Sequence, residues 1–205
     1  MRTLENLQMV GGCLAFDFIN TVNTRKPEPE FEYLETFENL IAWSEKAGSL
    51  DVVRLQALRK YAEQQPEVAS AALRDVTKAR EMLYALFSAI AAGDSPGAAV
   101  TGEFNRRLSD AFQKIYVKFG PGGTEVLFCN EEVAWNEPMY PVLKSAFDIL
   151  TGGDFEKIKE CPRCGWLFLD SSKNGKRKWC DMNVCGSRKK SLEYYYRKTK
   201  SRHNA

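Results

Sequence analysis

Cys161-Pro-Arg-Cys164-Gly-Trp-Leu-Phe-Leu169, followed after ten further residues by Cys180-Asp-Met-Asn-Val-Cys185, is the stretch that decides how the chain must be read. Two residues between the first pair of cysteines allow a tight knuckle that aims both sulfurs at one point. Four thiolates in a tetrahedral arrangement suit zinc, and with four sulfurs no coordination position is left for water or substrate. One structural, non-catalytic zinc ion is therefore expected on Cys161, Cys164, Cys180 and Cys185. Disulfides are disfavoured because the chain opens without the apolar core of a signal peptide, which points to a cytoplasmic location.

The residues between the two pairs suggest how they meet. Trp166 to Leu169 and Lys176 to Trp179 are expected as strands around an Asn174-Gly175 turn, because Asn-Gly is a strong hairpin signal. Cys185 should lie near the start of a helix from about Ser187 to Lys200, where free amides favour a thiolate. The result is a small treble-clef-like ββα finger. Cys13 and Cys129 have no partner at ligand spacing and read as small buried hydrophobes.

Upstream of the finger the apolar pattern is helical. Thr36 can cap a helix carrying Phe37, Leu40, Ile41 and Ala47, with Trp43 at its edge and Gly48 at its end. Ser49 or Asp51 can start the next, through about Gln64, and Pro66 suits the first turn of a long third helix that ends before Gly93. Glu103 to about Phe119 reads as a fourth helix. Thr124 to Cys129 with Val133 to Trp135 suggests a short hairpin, and Val142 to Leu150 a last helix opened by Pro138 or Pro141. Val10 to Val22 is apolar with Asp17 and Asn20 embedded, and its period does not decide between strand and helix. The chain should thus be mainly α: residues 1–153 a helical domain with a small β element, residues 154–205 the zinc finger.

Charge is divided along this same line. From Cys161 onward twelve Lys and Arg face three Asp and Glu, a net +9, which leaves −7 for the preceding residues. Such separation points to a nucleic-acid contact, with Lys176, Arg177, Lys178, Arg188, Lys189, Lys190, Arg197 and Lys198 as the candidate phosphate-binding residues. The alternative is a zinc-stapled module that binds protein or RNA. His203, the only histidine, falls in the polar tail, and no nucleophile or paired-carboxylate motif is present, so an enzyme is not expected. No apolar run reaches the roughly 18 to 20 residues that cross a bilayer.

From Cys161 the sequence resembles the CGNR zinc finger, on Cys161 to Trp166, Asp170 to Ser172, Trp179-Cys180 and Cys185-Gly-Ser-Arg188, with Ser187 in place of the family asparagine. Upstream, Gly12-x-Leu14-Ala15-x-Asp17-Phe18-x-Asn20-Thr21 and Arg80-Glu81-x-Leu83 resemble the ABATE domain that commonly precedes this finger. The resemblance implies a stress-responsive transcription regulator whose finger contacts DNA. It further implies a small-molecule effector on the N-terminal domain, for which Asp17, Asn20 and Arg80 are candidates. A homodimer on a palindromic site would fit such a protein.

Overall fold

The computed structural model describes residues 3–26, 31–128 and 132–187. Six α-helices, a short 3-10 turn, a π-helical turn and two short antiparallel sheets are the regular elements of these segments. The chain is mainly α.

The ambiguous apolar segment forms a short helix, α1 (Leu14–Ile19), at the centre of the core. Six residues rarely hold a helix alone, and here tertiary contacts hold it. Phe16 meets Phe87 edge-on at 4.9 Å between ring centroids, and Phe18 meets Trp43 at 5.2 Å. Trp43 is fully buried, where an edge position was expected: it sits on α2 (Phe37–Lys46) facing α1. Thr36 and Asn39 form a reciprocal cap at the start of α2, so orphan amides of the first turn are satisfied. Asp51 caps α3 (Val52–Gln64) by accepting from Val53 and Arg54.

The spine is α4 (Pro66–Ala92), begun by proline and closed by Gly93 in the left-handed conformation. At about 1.5 Å per residue its 27 residues reach about 40 Å, long enough to touch both the helical core and the finger. Of the apolar stripe that the three- and four-residue spacing predicts from Val68 to Ile90, Val76, Ala79, Leu83, Leu86 and Phe87 are buried, whereas Val68 near the start of the helix is exposed.

The next region departs from the expected pattern. Helix α5 (Ala98–Phe112) starts earlier and stops earlier, and Ile115–Gly120 is a strand, β1, paired with β2 (Gly123–Phe128). The register runs from Ile115 opposite Phe128 to Gly120 opposite Gly123. Alternating Ile-Tyr-Val-Lys-Phe favours a pleated strand, and the Pro121-Gly122 turn folds it back on Thr124 to Phe128 rather than leaving that strand for Val133 to Trp135. The ribbon stands away from the core, with Phe119 80 % exposed at its tip. Helix α6 (Met139–Gly152) then returns beside α1 and α5 and ends at Gly153, again left-handed.

In the finger, β4 (Leu167–Leu169) pairs with β3 (Ile158–Glu160), and the cysteine knuckle is the connection between them. Lys176 to Trp179 is not a strand. The turn at Gly175 does form, with the Gly175 amide donating to the Ser172 carbonyl at 3.1 Å, but it closes a loop instead of a hairpin. Ile158 and Leu167 belong to the same buried cluster as Phe16, Leu83 and Phe87. The finger's inner face is thereby part of the helical core.

Candidate metal centre

The knuckle is built by backbone geometry. Gly165 takes a left-handed φ of 74°, and a side chain there would strike Arg25. The turn so made lets the Gly165 amide donate to the Cys161 carbonyl, and the Cys161 amide to the Trp166 carbonyl, each at 2.8 Å. Of the second pair, Cys185 sits in a π-helical turn, Met182–Gly186, capped by the Asp181 carboxylate accepting from the Val184 amide at 2.7 Å, and Cys180 lies just before that cap. Gly186 is closely packed: a Cβ at this position would meet Met182 and the Trp179 ring at 3.2 Å, so that these side chains would have to shift to admit it. Cys185 therefore lies inside a helical turn rather than just before one.

The four sulfurs, Cys161, Cys164, Cys180 and Cys185, lie within 4.8 Å of one another. Cys164 to Cys180 is 3.5 Å, Cys180 to Cys185 3.6 Å and Cys164 to Cys185 3.7 Å. A zinc ion with about 2.3 Å bonds to four tetrahedral sulfurs demands edges of about 3.8 Å, so the donor set fits that ion in size as well as in chemistry. This is a structural zinc site. Four thiols this close interact so strongly that their protonation belongs to the cluster as a whole and to no single sulfur. Such a cluster releases protons when metal binds.

The loop between the pairs is tied to the site. Asp170 is buried, and its carboxylate accepts from the Ser172 amide at 2.9 Å and the Arg177 amide at 2.8 Å. Its hydrogen bonds, those with Ser172 first, hold the carboxyl below its ordinary value. Arg177 turns inward: its guanidinium donates to the Trp179 and Cys180 carbonyls and lies 4.7 Å from the Phe168 ring. Lys173, Lys176 and Lys178 remain exposed along the same loop. Two of the three described phosphate-binding candidates, Lys176 and Lys178, thus point to solvent, whereas Arg177 braces the metal site. Arg188, Lys189, Lys190, Arg197 and Lys198 lie outside the described residues, as do the helix expected there and Cys129.

A family model for the CGNR zinc finger matches residues 157–198, and the ABATE model, described as "Putative stress-induced transcription regulator", matches residues 12–153. The chain belongs to the ABATE family. A CGNR zinc finger follows the ABATE domain, and no curated protein matches the chain.

The ABATE motif around Asn20 is the seat on which the CGNR finger rests. The Asn20 amide donates to the Leu167 carbonyl at 2.8 Å and accepts from the Leu167 amide at 3.1 Å, closing both backbone groups of β4 in a buried position. Trp166 donates its indole N–H to the Val22 carbonyl at 2.7 Å. The Leu169 amide reaches the Gly11 carbonyl at 2.9 Å, and the Cys164 carbonyl accepts from the Arg25 amide at 2.8 Å and the Thr24 hydroxyl at 3.2 Å. Glu160 on β3 pairs with Lys26 and accepts from Ser88. None of these contacts has a local signature, and sequence reasoning missed them; the one available sign was an amide embedded in an apolar run.

The three candidate effector residues are placed apart in their duties. Asp17 accepts from the Gly11 amide at 2.8 Å; Asn20 holds Leu167; Arg80 makes a two-pronged pair with Glu32 at 2.7 and 2.6 Å and bonds Thr21 and Glu81. Burial raises the Asp17 carboxyl above its ordinary value, against the lowering effect of the Gly11 amide.

Proposed function

We propose that this chain is a transcription regulator that contacts DNA through its zinc finger, with the seat around Asn20 carrying changes in the ABATE domain to the DNA-contacting surface. The observation that carries the reading is the loop from Lys173 to Lys178. Its backbone is fixed by Asp170 and Arg177 to a metal-braced scaffold, its three lysines face water, and a strongly basic segment follows in the sequence. A rigid loop of cations loses little entropy on meeting phosphates, and the cations supply the salt-sensitive part of affinity. The family description, a stress-induced transcription regulator, agrees with this role. Asp17, Asn20 and Arg80 already have protein partners, which favours signal input through the seat over a ligand held by these three.

The test is fluorescence anisotropy with duplex DNA across a salt series, using zinc-verified protein, a Lys176→Ala/Lys178→Ala double variant and Arg188→Ala. Two lost phosphate contacts should flatten the salt slope by about 1.8. No binding by zinc-loaded wild type at low salt would remove the DNA reading and turn the finger toward protein contact; capture of RNA in preference to duplex would turn it toward RNA.

A further inference from the structure

The four zinc ligands are unequal in their access to solvent. Cys161, Cys180 and Cys185 are buried, and Cys164 alone among them is half-buried. Cys164 forms part of the wall of a cleft of about 280 Å³ between the N-terminal segment and the finger. Asn23 and Thr24 line one side and Arg163, Trp166 and Asp181 the other, with Cys180 and Cys185 also bordering it. A closed coordination sphere protects a zinc site from substrates, but it does not protect a thiolate that meets an open cavity, because thiolates bound to metal keep a nucleophilic lone pair.

We propose that Cys164 is an oxidation site for a small hydroperoxide, hydrogen peroxide or a short alkyl hydroperoxide, and that Cys180 resolves the product into a disulfide. In the first step the Cys164 sulfur attacks the terminal peroxide oxygen. The S–O bond forms, the O–O bond breaks, and hydroxide or alkoxide leaves with Cys164 as the sulfenic acid. The leaving oxygen's negative charge develops in a cleft that contains the Arg163 guanidinium. In the second step the Cys180 thiolate, 3.5 Å away, attacks the Cys164 sulfur and expels hydroxide. Two protons from solvent complete two waters, or one water and one alcohol; the sulfur pair is oxidised by two electrons and the peroxide reduced by two.

Cys180 is the better resolving thiol than Cys185. It is nearer, and Arg163 donates to the Cys185 sulfur at 3.8 Å, which withdraws electron density from that nucleophile. Closing Cys164 onto Cys180 draws the sulfurs from 3.5 Å to the roughly 2.0 Å of a disulfide. It removes two of four metal ligands and pulls on the Cys164 carbonyl, which the Arg25 amide and the Thr24 hydroxyl hold to the ABATE domain. Cys13 is a built-in control, since burial pushes its thiol up to about 11 and keeps it protonated.

The experiment treats zinc-loaded full-length protein with hydrogen peroxide and follows zinc release with a chromogenic chelator. In parallel, quenched samples are mapped by mass spectrometry. The expected first product is two hydrogens lighter than the reduced chain, carries the Cys164–Cys180 link, and appears in step with zinc release while Cys13 stays reduced. Cys164→Ser would weaken the metal site itself, so access is tested separately with Gln8→Trp, a substitution at an exposed residue on the cleft. With unchanged zinc content this variant should release metal roughly fivefold more slowly, because oxidation follows thiolate access. A first disulfide that omits Cys164, prior oxidation of Cys13, or a Gln8→Trp rate equal to wild type would each overturn the assignment.

Discussion

Around Phe16, Phe18 and Phe87 the helical domain closes on side chains that lose all contact with water; from Cys161 to Cys185 the finger encloses little beyond Phe168 and its own sulfurs. The two regions touch through Ile158, Leu167 and the Asn20 amide, yet their sources of stability differ. Apolar burial is spread over many residues, so no single helical position is decisive. Coordination is concentrated at one point. A small unit without room for a core of its own can still hold a fixed shape when a metal joins its ends and a larger neighbour supplies the rest of its inner surface.

Zinc removal should separate the two regions most sharply. Structural zinc contributes on the order of 10 kcal/mol in comparable finger peptides, far more than the finger's few buried side chains. A strong chelator should therefore abolish dispersed amide signals of residues 158–187 in NMR spectra while helical circular dichroism largely remains. Complete loss of helix at the same chelator concentration would show that the helical core cannot stand without the finger.

Next in size, Phe87→Ala should destabilise the helical unfolding transition by about 3 to 5 kcal/mol through the cavity left against Phe16. Zinc affinity, read by competition with a chromogenic chelator, should change much less. Asn20→Ala removes both bonds to Leu167 and should cost about 2 to 3 kcal/mol, because a buried amide and carbonyl of β4 lose their partners. Unlike Phe87→Ala it should also weaken zinc retention and raise hydrogen exchange at Leu167. Retention indistinguishable from wild type would mean that the seat and the metal site are energetically independent.

The smallest effect lies on the surface between α4 and α5. Arg107 holds Asp75 with bonds of 2.7 and 2.8 Å, chiefly by hydrogen bonding, and lowers its carboxyl below the ordinary 3.8. A depressed acid contributes its stability above its unfolded value and loses it as pH falls through the folded one, so the pair matters at neutral pH and fades below about pH 4. Asp75→Asn should cost about 0.5 kcal/mol or less at pH 7 and nothing measurable near pH 2, by denaturant titration at both.

The sequence made some of this architecture legible. Thr36, Asp51, Pro66 and Gly93 are local signals, and α2, α3 and α4 begin or end where these residues direct. The cysteine spacing likewise carries its chemistry within a few residues. Ile115 misled because it extends the stripe of Phe104, Leu108 and Phe112, so the last turns of a helix and the first residue of a strand look alike until the β partner is known. In the finger Leu167 to Leu169 was recognisable as a strand, but the choice of Ile158–Glu160 as its partner is made by the knuckle's closure. Asp17, Asn20 and Arg80 drew attention as polar groups in apolar settings; their actual partners depend on tertiary placement that no periodicity encodes.

The Asn20 amide and its backbone partner at Leu167 are 147 residues apart. At a synthesis rate of about 5 to 20 residues per second, the first segment leaves the ribosome roughly 7 to 30 seconds before the strand it clamps. Throughout that interval the Asn20 amide on the seat lacks Leu167, and the contact that closes the seat waits until the finger has been made. A chain that stops short of β4 leaves the Asn20 amide without its partner, so the joint between helical domain and finger is a contact that only a chain reaching past Leu167 can make.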